Sequence, residues 1–171
     1  GGVGRPASGR LGAAPGGGGG PGPRRSGNLL GEAGLGGAGG DRRLQGTRDL
    51  VARDGVDYVS IKVSSVVPQM AMWAFDQTVE RVVDRLVPLY RLAAVPSSSG
   101  ARAKFINLDM EEYRDLDVTL AVFRALLDRD EFLGLEAGIV LQAYLPDAAG
   151  ALESPTSWAQ ERRARGGAPF K

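Results

Sequence analysis

Tyr58-Val59-Ser60-Ile61-Lys62-Val63-Ser64 alternates polar and β-branched residues over seven positions. That is the period of two expected of a strand, whose successive side chains leave opposite faces of a sheet. Tyr58, Ser60, Lys62 and Ser64 share one face, and Val59, Ile61 and Val63 share the other. Downstream, Lys104-Phe105-Ile106-Asn107-Leu108 predicts a second strand, with Phe105, Asn107 and Asp109 on one face. A third is predicted over Gly138–Tyr144, with Val140, Gln142 and Tyr144 together. Strands separated by helical sequence imply βαβ units and a parallel sheet. In an open sheet covered by helices on both faces, Lys62 would be a buried, unpaired charge costing several kcal/mol. In a barrel it lines the lumen, and Lys62, Asp109 and Gln142 lie near the carboxyl ends of successive strands, where barrel active sites are built. The pattern therefore predicts an α/β chain forming part of a (βα)8 TIM-like barrel.

The intervening sequence fits that architecture. Val79, Val82, Val83, Leu86 and Tyr90 recur at helical spacing, and Pro88 is expected to end or bend their helix. Pro96–Gly100 reads as a linker. Tyr113, Leu116, Leu120, Phe123 and Leu127 form the apolar stripe of a second helix. A weaker helix is expected from about Trp158 to Arg165, ended by Gly166-Gly167, before Ala168-Pro169-Phe170-Lys171 begins another strand. Towards the amino terminus, Asn28–Ala33 suggests a brief strand, and the glycines from Gly34 to Gly40 should interrupt the helix that would follow, at about 1 kcal/mol each. Residues Gly1 to Gly27 are almost all Gly, Pro, Ala, Arg and Ser. Such a composition buries too little apolar surface to offset about 1–2 kcal/mol of chain entropy per residue. We therefore expect a disordered leader over 1–27 and a foldable unit over 28–171, roughly half of a barrel of about 250 residues.

Composition narrows the chemistry. The 171 residues include neither cysteine nor histidine, which excludes disulfides, thiolate nucleophiles, Ser-His-Asp triads and the usual zinc sites. A net charge of +1 gives no long-range field favouring nucleic acid, and none is expected as a partner.

Each candidate residue has a plain structural reading beside its functional one. Lys62 either binds an anion or forms an ion pair with Asp109 on the adjacent strand. Asp109, with Glu112 three residues on, also resembles a helix capping box. The Gln142 amide, in an apolar strand, needs a partner or costs about 1–3 kcal/mol, and a ligand or a strand-end water would serve. Arg162, Arg163 and Arg165 read as a solvated helix end. The glycines from Gly34 on read as compositional rather than as a phosphate loop, since no strong strand precedes them.

Four landmarks, Leu29-Leu30-Gly31-Glu32-Ala33, Val59-Ser60-Ile61-Lys62-Val63-Ser64-Ser65, Ile106-Asn107-Leu108-Asp109-Met110-Glu111-Glu112 and Val140-Leu141-Gln142-Ala143-Tyr144, resemble in order and spacing the proline dehydrogenase domain of bifunctional bacterial proline-catabolic enzymes. The resemblance implies oxidation of L-proline to Δ1-pyrroline-5-carboxylate by noncovalent FAD, with a quinone as electron acceptor. It further implies a cytoplasmic protein able to associate peripherally with the inner membrane. By this resemblance Lys62 pairs with the substrate carboxylate and Asp109 supports it. Gln142 touches the flavin, and Glu32 gates the substrate. The family's flavin-contacting arginine and carboxylate-clamping arginine pair fall on and after the strand that Phe170-Lys171 begins. This chain alone is accordingly expected to be an incomplete, inactive fragment. Two rival readings are a Schiff-base aldolase-like barrel with Lys62 as nucleophile and a non-catalytic interaction module.

Overall fold

The computed structural model describes residues 26–28, 37–67, 72–96, 103–145 and 148–171. Its sheet has strands β1 (Ser26–Asn28), β2 (Tyr58–Lys62), β3 (Phe105–Asp109) and β4 (Ala137–Ile139) in the order β1-β2-β3-β4. All neighbours are parallel. Helices α1 (Gly37–Val51), α3 (Phe75–Ala94) and α4 (Leu116–Leu127) connect them, with a single turn, α2 (Val63–Val66), directly after β2. Beyond β4 come α5 (Ala148–Ala151) and α6 (Glu153–Ala164). The carboxyl end then begins a further parallel strand: Phe170 bridges Ala137, and Lys171 N–H donates to the Ala137 carbonyl at 3.0 Å.

The alternation read from β2 is realised in packing. Val59 and Ile61, with Ile106 and Leu108 of β3, are buried in one core with Val82, Leu86 and Tyr90 of α3 and Val122 and Leu126 of α4. The opposite face carries Tyr58 and Phe105, stacked at 5.6 Å, and Asn107, whose amide donates to the Ser60 hydroxyl at 3.2 Å. The strands follow one another in both sequence and space, with the helix-packed core on one face, and the reversal of strand order that marks a doubly wound sheet does not occur among the described strands.

Several expectations need correction. The first described strand is Ser26–Asn28, so two residues of the segment expected to be a disordered leader, Ser26 and Gly27, are in a strand; the remainder of Asn28–Ala33, including Glu32, lies outside the described residues, as do residues 1–25 and 97–100. The glycines do not prevent a helix, since α1 starts at Gly37 and runs through Gly39, Gly40 and Gly46. Its stability comes from tertiary contacts: Val51 and Thr47 are buried, and Arg85 of α3 donates to Asp41 at 2.9 Å and to the Val66 carbonyl at 2.8 Å. Of the two outcomes expected at Pro88, ending the helix does not occur, since α3 continues to Ala94. The missing N–H costs about 3 kcal/mol, and burial of Leu86, Val87, Leu89, Tyr90 and Ala93 around it outweighs that at about 1.5–3 kcal/mol for each large apolar side chain. The expected capping box is not formed either. A 3-10 turn, Tyr113–Asp115, precedes α4, and neither Glu112 nor Asp115 makes a side-chain cap.

The largest correction concerns Arg162, expected on a solvated helix end and found 1% exposed. Its guanidinium donates to the carbonyls of Ala168 (3.0 Å), Phe132 (2.8 Å), Leu133 (2.8 Å), Leu135 (3.3 Å) and Leu127. Burial lowers its pKa, with Asp128 opposing that shift. Gly167 passes so close that an added Cβ would lie 2.5 Å from the Arg162 Cγ and 2.8 Å from its carbonyl oxygen.

Because an orphaned buried carbonyl costs about 1–3 kcal/mol, Arg162→Met should lower the unfolding free energy by about 3 kcal/mol or more. Gly46→Ala, whose methyl would meet nothing within 4 Å, should raise it by about 0.5–1 kcal/mol. Urea denaturation checks both. A loss under about 1 kcal/mol for Arg162→Met would mean that the loops are held by other contacts.

Candidate functional site

The candidate site lies at the carboxyl ends of β2 and β3, on the face away from the helix-packed core. Lys62 is the last residue of β2 and faces Asp109, the last of β3, across the parallel register. The chain turns at once into α2, whose Val63 and Val66 are buried, and the Ser65 hydroxyl donates to the Lys62 carbonyl at 2.6 Å. The backbone that presents Lys62 is thus anchored from below. Ser64, expected on the strand, belongs to this helical turn.

The Lys62–Asp109 ion pair, the structural reading of Lys62, does not form. The Lys62 ammonium instead donates to Glu111 Oε1 at 2.5 Å, and the Ser64 hydroxyl donates to Glu111 Oε2 at 2.7 Å. Two residues past Asp109, the Glu111 carboxylate reaches back over the strand end and has both oxygens engaged. Its pKa is lowered, first by the Lys62 hydrogen bond and then by that from Ser64. The signal was in the sequence: 105, 107, 109 and 111 continue one alternation past the strand.

Gln142 is not in a strand, because β4 stops at Ile139 and Ala143-Tyr144 form a turn. Its expected face-sharing with Tyr144 is lost, and Tyr144 is exposed. The Gln142 amide nevertheless finds partners, donating to the Met110 carbonyl at 3.3 Å and the Glu111 carbonyl at 3.5 Å. Lys62, Glu111 and Gln142 are therefore joined through the backbone of residues 110–111. Asp109 stands beside them, while Glu32 lies outside the described residues. What this arrangement offers chemically is a partly exposed lysine amine with a carboxylate partner, flanked by carboxylate, hydroxyl and amide groups.

Fold and site together define a βα domain with a parallel sheet and a paired lysine at its strand ends. Comparisons with known proteins narrow this class. The family model described as proline dehydrogenase matches residues 21–169, and the chain belongs to that family. Among solved structures, it is similar to proline utilization A (PutA) from Corynebacterium freiburgense, with 52% identity and a TM-score of 0.80 over 86% of this chain and 15% of that one. It is also similar to PutA from Bdellovibrio bacteriovorus inactivated by N-propargylglycine, with 30% identity and a TM-score of 0.69 over 81% of this chain and 16% of that one. A mutant PutA from Bradyrhizobium japonicum, 20% identical with a TM-score of 0.68 over 82% of this chain and 15% of that one, shows the shared fold. The chain thus spans a small part of the length of the proteins it matches. No curated protein matches it.

The lowered Glu111 pKa carries a pH dependence. A carboxylate depressed on folding adds stability that is fully present above its ordinary value of 4.5 and is lost as pH falls through the folded value. The Glu111 side chain is 44% exposed, so solvent limits the effect to about 1 kcal/mol or less. Chemical denaturation between about pH 6 and 3 should show this acid-side loss in the wild type and a smaller one in Glu111→Gln. Equal slopes would show that the pair contributes nothing to folding.

Proposed function

We propose that this chain provides the first strands of a (βα)8 barrel that oxidises L-proline to Δ1-pyrroline-5-carboxylate with FAD and passes the electrons to a quinone. The observation that carries the reading is Lys62: a partly exposed ammonium at the carboxyl end of β2, on the face away from the helix-packed core. A cation there matches the substrate carboxylate, and such a charge-assisted contact is worth about 1.5–3 kcal/mol. Asp109, in register with Lys62, borders the same strand end, while Glu111 balances the charge of Lys62. Among the described residues Gln142 fits a flavin best, since its amide sits at the site's edge and its anchored N–H leaves the carbonyl to receive a ring N–H. Held there, FAD would supply the two-electron acceptor for loss of a hydride and a proton across the ring C–N bond of proline. Glu32 gates the pocket in this reading. The inactivation of the Bdellovibrio protein by N-propargylglycine, a small amino acid, accords with a carboxylate-binding site.

Among the described residues, β1 and the strand begun at Phe170 leave both sheet edges open. Closure of a barrel, and with it turnover, then needs further strands. A quinone acceptor places the working enzyme in the cytoplasm, at the surface of the inner membrane. No helix among the described residues is long and apolar enough to cross a membrane. Use of Lys62 as a Schiff-base nucleophile gains no support from the structure, in which its amine is engaged by Glu111 at 2.5 Å.

The test grafts residues 26–171 into the corresponding segment of the Corynebacterium freiburgense PutA. The chimera should bind FAD and oxidise proline, whereas the chain alone, given FAD, proline and an artificial acceptor, should show no turnover. Lys62→Ala in the chimera should lower kcat/KM for proline roughly ten- to a hundredfold with flavin retained. Unchanged kinetics would leave Lys62 a structural role only.

A further inference from the structure

We propose that Glu111, locked by Ser64, is the positioning residue that holds the Lys62 ammonium at the open face, ready to meet the carboxylate of an amino-acid substrate. This rests on the carboxylate-binding reading of Lys62. A lysine ammonium is a point charge on a flexible four-carbon stem and loses about 2 kcal/mol of rotamer freedom when held. At Lys62 the backbone is set by the α2 turn and the Ser65 hydroxyl, but nothing on its own element fixes the amine. Glu111 does so from the neighbouring strand end. One oxygen accepts from Lys62 and the other from Ser64, so the carboxylate cannot swing without breaking a bond. Gln142, bound to the Met110 and Glu111 carbonyls, fixes the segment from the other side.

Stability does not account for this arrangement, because the two side chains are 26% and 44% exposed and such pairs contribute about 0–1 kcal/mol. Its effect is on position. An ammonium has three N–H donors. Glu111 occupies one and leaves two for a carboxylate arriving from the open face. Asp109, although opposite Lys62 in register, makes no hydrogen bond or ion pair to it and does not set its place.

The first measurement uses the full chain, labelled with 13C at lysine Cε; Lys62, Lys104 and Lys171 are its lysines. Lowering the pH from about 7 to 3 should move the Lys62 signal at an inflection below that of an ordinary glutamate. Arg43 of α1, Asp109 of β3, and Glu112 and Asp115 before α4 are the other charged groups around Glu111. Glu111→Gln should abolish the inflection, Ser64→Ala should raise it, and Asp109→Asn should leave it. The second measurement uses the chimera with PutA. Glu111→Gln should raise KM for proline about tenfold with kcat within about twofold, and Glu111→Asp should recover part of the loss. A Lys62 signal indifferent to Glu111→Gln overturns the proposal. So does an unchanged KM in Glu111→Gln where Lys62→Ala raises it. If Lys62→Ala itself leaves KM unchanged, the carboxylate reading fails and positioning with it, and the inflection then marks a plain ion pair.

Discussion

A guanidinium withheld from water must find an acceptor for its N–H groups or be expelled, and Arg162 meets that demand entirely with backbone. It reaches the carbonyl of Leu127 at the end of α4, those of Phe132, Leu133 and Leu135 in the turn before β4, and that of Ala168 ahead of the strand begun at Phe170. Loop carbonyls inside a protein have no sheet or helix to pair with, so one side chain satisfies a connection that would otherwise have to stay at the surface. The chain before and after α6 is thereby held against one point. Aromatic packing reinforces it: Trp158 stacks on Phe170 at 4.7 Å, Phe123 meets both rings edge-on, and the Trp158 indole N–H donates to Asp128. With β4 and the following strand fixed, the carboxyl-terminal edge of the sheet has a defined shape for the site to use.

From that frame, support passes to the site by short steps. The β4 strand leads directly to Gln142, whose amide holds the Met110 and Glu111 carbonyls. Glu111 in turn holds Lys62. From the other side, the buried Val63 and Val66 hold the turn that follows Lys62. A charged group at the edge of a core is thus set by neighbours that are themselves anchored, as precise binding requires.

What could be read from the sequence follows from how local each signal is. The period-two alternation of β2 and β3 depends only on which face meets the core, so Val59, Ile61, Ile106 and Leu108 were placed correctly, as was the open-face company of Lys62, Asn107 and Asp109. The third strand was read too long, since Val140-Leu141-Gln142 keeps the composition of a strand after its pairing has stopped at Ile139. Helix ends and breakers misled for a related reason. The Pro88 and Gly37–Gly40 penalties are local, whereas the apolar contacts that override them come from distant segments. Arg162 is the extreme case. Nothing near it separates a solvated arginine from a buried one, because its acceptors lie 6 to 35 residues away. Lys62 stands at the strand end on the face expected, and of the partners its structural reading offered, Asp109 opposite in register is passed over for Glu111, the next on the same face.

Gly138 shows how the open face came to be polar at one level and closed at another. A Cβ there would lie 2.5 Å from Asn107 Oδ1 and 2.9 Å from the Phe105 ring, so glycine on β4 is what lets Asn107 and Phe105 occupy the face beside it. Phe105 then stacks on Tyr58, while Asn107, 7% exposed, spends its amide on Ser60. The lower part of the face is filled by its own side chains, as the interior of a small barrel is. One level higher, at Lys62, Asp109 and Glu111, the charged groups that the described strands carry on this face are partly open to solvent.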